Sequence, residues 1–212
     1  MNRRFESNLF WGVHSPLSTL TGMALIVLAS SRFAFALICA GALLWVYGLA
    51  ALIFSGARKI MPGRGQMVIL LFLSTFLCGV FMLIVNLLNP LLILGTGFFL
   101  LLIPPYCLGS GLFQASESMS LSEVFSRAML EAVVLAGIIL AVALIREPLG
   151  MGTLSLPGGA QGIVELIESR EEDFVPARIL SASAGALLLL GYGIALYRLF
   201  RDREGNFKEE DR

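Results

Sequence analysis

Ionised residues cut the chain into long apolar runs. None occurs at positions 7–31, 33–57, 65–116, 132–145 or 179–197. A helix needs about 20 apolar residues to cross roughly 30 Å of hydrocarbon. The run at 65–116 is too long for one such helix and fits two joined by a tight turn. Asn86, Asn89 and Pro90 supply the turn, since proline cannot continue a helix and asparagine favours turns. Six membrane segments are predicted, at about 11–30, 34–56, 66–87, 91–109, 124–145 and 178–198. The fifth reaches a spanning length only when Arg127 and Glu131 enter its first turns. A signal peptide at 1–36 is the alternative for the first, but the chain stays hydrophobic beyond it. The expected fold class is thus an all-α polytopic membrane protein, one integral domain over 1–212.

Composition excludes other classes. The chain is 57% hydrophobic and 14% charged, with mean hydropathy +0.85, unlike a soluble or disordered domain. Lys and Arg balance Asp and Glu at zero net charge, so no global field recruits nucleic acid. Membrane lipid is the expected surrounding partner. The basic residues are unevenly placed. With the N-terminus in the cytoplasm, the inner loops carry eleven Lys and Arg and the outer loops four, which predicts both termini inside. The loop at 147–177 then lies outside. Within it, Ile163, Leu166, Ile167 and Arg170 fall at helical spacing, readable as an interfacial helix or a plain solvated loop. The tail at 199–212 is charged and cytoplasmic in this reading.

The chain echoes itself after three segments. Segment two ends Ala51-Leu52-Ile53 before Arg58-Lys59, and segment five ends Ala143-Leu144-Ile145 before Arg146. Pro62-Gly63-Arg64 precedes segment three as Pro176-Ala177-Arg178 precedes segment six. An odd number of spans per half inverts one half against the other, giving a 3+3 repeat of a kind that recurs in transporters. Segments one and four, which open the halves, are the irregular ones. Pro16 and Gly22 interrupt the first; Pro104, Pro105, Gly109 and Gly111 interrupt the fourth. Broken half-helices are expected there. Irregular backbone at membrane depth is tolerated only when it is buried in protein or faces a cavity, so Pro104–Gly111 is a candidate site, against a simple kink.

Few residues carry chemistry. Cys39 and Cys78 read as packing residues in continuous helices. Cys107 follows the break, where free backbone N–H groups could stabilise a thiolate or cluster sulfides. His14 is the only histidine, so the usual histidine-based haem and zinc sites are excluded. Glu131 and Glu147, with Arg127 and Arg146 beside them, flank segment five, either as functional groups or as side chains reaching the headgroups. No phosphate loop, nucleophile elbow or paired-carboxylate motif is present.

The stretch from Leu144 to Leu154, Leu-Ile-Arg-Glu-Pro-Leu-Gly-Met-Gly-Thr-Leu, resembles one that follows the fifth helix in a known family. Arg146, Glu147, Gly150, Gly152 and Thr153 carry that match. Arg58–Pro62, Leu101–Cys107 and Asn8–Pro16 add weaker ones in the same order. Over about 8–200 the chain is similar to the small six-span subunits of the Rnf and Nqr ion-translocating electron-transport complexes. The resemblance implies a bacterial inner-membrane subunit of a translocating oxidoreductase, not an enzyme alone, that couples electron transfer to Na+ or H+ movement. It further implies a homologous subunit of opposite orientation as partner, other redox subunits, and a shared [2Fe–2S] cluster bound through Cys107. The chain departs from the family where the first cluster cysteine belongs, around Gly22-Met23-Ala24, and Tyr106 stands where the family has Asn. The alternative is a diverged, non-redox paralogue acting as a structural subunit or small transporter, with no cluster.

Overall fold

The computed structural model describes residues 19–57, 65–110, 120–158, 162–167 and 178–210. Their helices are α1 (Leu20–Ala29), α2 (Phe33–Ala57), α3 (Gln66–Leu88), α4 (Pro90–Leu100), α5 (Ile103–Gly109), α6 (Leu121–Met151) and α7 (Ser183–Glu210). A hairpin of β1 (Leu154–Pro157) and β2 (Ile163–Ile167) and a 3-10 turn at Arg178–Ser181 lie between α6 and α7. Four stretches are long and apolar enough to cross a membrane: α2, α3, α4 running on through α5, and α6. The apolar helices at Leu20–Ala29 and Ser183–Leu196 are shorter.

The packing centres on α2 and α6. Both bury alanines along their shared side, among them Ala36, Ala50, Ala128, Ala132 and Ala143. Small side chains let two backbones approach closely, the main source of helix association where lipid removes the hydrophobic drive. By contrast α3 turns Phe72, Phe76, Leu83 and Leu87 outward. Such an apolar exterior is costly in water and at no disadvantage in hydrocarbon.

Local chemistry sets the helix ends. Thr19 caps α1, its hydroxyl accepting from Gly22 N at 3.2 Å. Asn89 alone separates α3 from α4, and Pro90 opens α4, where its missing N–H costs nothing. Ser120 and Glu123 form a reciprocal capping box at the start of α6. Gly152 ends α6 at φ 70°, a left-handed conformation that a side chain would strain.

Several expectations are corrected. The fourth segment is interrupted first at Leu101–Leu102, ahead of the proline pair, and α5 then ends at Gly109, within Pro104–Gly111. Pro104 and Pro105 occupy the first turn of α5. A proline withholds its N–H from the carbonyl four residues earlier, so the disruption appears one turn upstream. The Leu100 carbonyl, which Pro104 cannot serve, accepts from the Cys78 thiol at 3.3 Å. Gly22 breaks nothing, since it sits inside the regular first turn of α1. Pro16 and Gly111 lie outside the described residues, as do His14, Arg58–Arg64 and Pro176-Ala177. The segment beyond 146 is not all loop: α6 continues to Met151. Residues 163–167 form a strand, not an interfacial helix. They are β-branched-rich, and they pair antiparallel with β1, Leu156 opposite Val164 and Pro157 opposite Ile163. The charged tail is not separate either; α7 carries it on to Glu210.

Segments one and four meet. Gly109, the last residue of α5, lies against the start of α1: a Cβ there would sit 3.6 Å from Thr21 Oγ1 and 3.9 Å from Thr19 Cγ2.

Candidate functional site

Two buried polar centres stand on α6, four turns apart. The first is Glu131, on the side of the helix that buries Ala128, Ala132 and Leu135. That spacing of three, four and seven residues defines one face, and it turns the carboxyl toward α2 and α5. Glu131 is 7% exposed. Its Oε1 accepts from the Tyr106 hydroxyl at 3.2 Å and from the Tyr47 hydroxyl at 3.4 Å. The two phenol rings lean together, with centroids 5.9 Å apart. Both tyrosines are fully buried. Tyr47 comes from the middle of α2, and Tyr106 from the turn that Pro104-Pro105 initiates.

Cys107 and Ser110 adjoin this cluster, both buried. The Ser110 hydroxyl donates to the Cys107 carbonyl at 3.1 Å, satisfying the end of α5. An isolated ionised carboxylate in such surroundings would be very costly. Two hydroxyl donors on one oxygen offset part of that cost, and no charged partner is bonded to it among the described residues.

The second centre is Arg146 and Glu147, 3% and 1% exposed. Arg146 spends its guanidinium on other elements. Nε donates to Leu180 O at 2.8 Å, Nη2 to Ser181 O at 2.9 Å, and Nη1 to Val27 O at 2.9 Å and Ser30 Oγ at 3.1 Å. It thus meets the C-terminal carbonyls of α1 and the 3-10 turn before α7. Glu147 Oε2 accepts from Phe33 N at 2.6 Å, the first N–H of α2. The Ser155 hydroxyl takes the next, Ala34 N, at 3.3 Å. A cation at one helix's C-terminus and an anion at the next helix's N-terminus complement both dipoles. Neighbouring residues of one helix therefore fasten α1, α2 and the approach to α7, while Ser155 ties β1 to α2.

The glycines of the same stretch serve this fastening. A Cβ on Gly150 would come within 2.8 Å of Ser181 N, so only glycine lets α6 lie against the 3-10 turn. Gly152 provides the left-handed cap, and Thr153 links it to β1. The Arg32–Glu165 ion pair at the hairpin edge, 3.7 Å and half-exposed, adds little.

The residues singled out from sequence thus divide. Arg146, Glu147, Gly150 and Gly152 form the junction. Cys107, Pro104 and Pro105 belong with the carboxyl cluster, and Gly109 touches α1. The cluster's centre, Glu131 bonded to Tyr47 and Tyr106, was missed as a unit. Its signal was three polar side chains inside otherwise apolar runs.

For an iron–sulfur cluster the described residues of this site offer one ligand of the usual kind, the Cys107 thiol. A [2Fe–2S] centre takes two thiolate-class ligands per iron. Cys107 offers one thiol, 1% exposed, among phenols, a hydroxyl and a carboxyl. Among the described residues no three His, Cys, Asp or Glu side chains converge as a metal's ligands would. No family model matches the chain, and no curated protein matches it.

Proposed function

We propose that the chain is a polytopic subunit of a bacterial cytoplasmic membrane, built on the six-segment inverted 3+3 scaffold of the Rnf/Nqr small subunits, and that it serves transport or assembly rather than electron transfer. In this reading both termini are cytoplasmic, and the partner is a homologous six-span subunit of opposite orientation. The contact of Gly109 with Thr19 and Thr21 supports the scaffold, since paired half-helices should meet at their irregular ends.

One observation carries the choice against electron transfer: Cys107 is a single thiol sealed inside the chain's own packing. A partner's thiolates would have to enter between α2, α5 and α6 to share a metal with it. The test is purification of the complete protein with whatever copurifies, followed by iron analysis and EPR. The expected result is no stoichiometric iron and unchanged accumulation of Cys107→Ala. Stoichiometric iron whose EPR signal disappears in Cys107→Ala would overturn the reading and restore the electron-carrying role.

A further inference from the structure

The Glu131 cluster has no part in holding the helices' ends, and its composition needs an explanation. A buried carboxyl in a membrane-crossing helix is expensive, and such residues mark ion or proton paths by default. A structural polar contact would be cheaper made with a serine or an amide. Glu131 instead brings a group that exists in two charge states.

The partners match both states. An ionised carboxylate only accepts hydrogen bonds, and a protonated one both donates and accepts. Tyrosine hydroxyls donate and accept equally, so rotation of an O–H bond suits Tyr47 and Tyr106 to either state without moving a heavy atom. Backbone N–H groups, which bind Glu147, lack this freedom, because they only donate. The O···O separations of 3.2 and 3.4 Å are longer than the roughly 2.7–2.8 Å common for hydroxyl donors. The cage is therefore loose rather than clamped on one form.

We propose that Glu131 is a reversible proton-binding site inside the membrane domain, with Tyr47 and Tyr106 as positioning residues that hold it in both protonation states. The step is Glu131–COOH giving Glu131–COO⁻ and one proton. No oxidant or co-reactant is needed. The titratable groups facing the carboxyl are Tyr47 from α2, and Tyr106 and Cys107 from α5; on α6 itself Arg127 lies one turn away and is exposed. The site deepens the transport reading and rests on it.

The experiment is infrared spectroscopy of the full-length protein in lipid nanodiscs, titrated from acidic to alkaline buffer. The expected result is a protonated-carboxyl C=O band that disappears as pH rises. It should be absent from Glu131→Gln and move in frequency in Tyr106→Phe, which removes one hydrogen bond. Should Glu131→Gln fail to accumulate, the Tyr106→Phe shift assigns the band by itself. A titration showing no band assigned to Glu131 overturns the proposal. A band abolished by Na+ and not by K+ at constant pH would still support the site, with Na+ competing for the proton's place. Iron analysis stands apart from this readout. An iron-containing protein whose Glu131 titrates would overturn the transport reading alone, and an iron-free protein with a silent Glu131 would overturn this site alone.

Discussion

The two buried polar centres of α6 use the same kinds of side chain to opposite ends. At the junction, Arg146 and Glu147 are bonded mostly to backbone carbonyls and N–H groups of other elements. Backbone groups at helix ends need partners whatever the conditions. Around Glu131 the partners are side-chain hydroxyls of two tyrosines, each within a helix that is complete without them. Burial alone does not separate a structural charge from a chemical one. What separates them is the kind of partner: fixed backbone groups at the junction, rotatable hydroxyls around Glu131.

The sharpest way to break this contrast is Arg146→Ala. It takes the guanidinium from the partly buried carbonyls of Val27, Leu180 and Ser181, and a loss of about 2–3 kcal/mol is expected. Urea or thermal unfolding in detergent measures it. A variant as stable as wild type would remove the distinction between the two centres. Gly150→Ala should follow at about 1–3 kcal/mol, because the added methyl meets Ser181 N at 2.8 Å and the turn must move. The same unfolding assay reads it, and Gly137→Ala, where no atom lies within 4 Å, serves as the open-space control. Smallest is Tyr47→Phe, expected to cost about 1 kcal/mol or less, since Tyr106 still donates to Glu131. If Tyr47→Phe proved as damaging as Arg146→Ala, the cluster would be part of the framework.

Much of the helical layout was legible from charge alone. Charge-free runs had to become helices in an apolar medium, and Asn89-Pro90 had to turn. The proline break was read about one turn late, because proline acts on the carbonyl four residues before it. Residues 163–167 read as a helical face or a loop, and the strand went unseen because the stretch is too short for its period to decide and pairing with β1 makes it one. The match at 146–154 marked the right residues without their partners. Those come from 27, 30, 33 and 180–181, which only the tertiary fold assembles. Glu131 looked like an end-of-segment charge because the fifth segment was drawn to start at 124. With α6 beginning at Leu121, the residue lies three turns inside.

The Arg146 fastening also sets an order of events during synthesis. Its acceptors are the end of α1, made early, and the Leu180 and Ser181 carbonyls, made when little of the chain remains. The guanidinium emerges with half of its acceptors still unmade. Until the ribosome passes Ser181, the lock through which α6 holds the end of α1 and the 3-10 turn is incomplete. A chain truncated before residue 180 would hold an arginine with only Val27 and Ser30 to bond, two of its four acceptors.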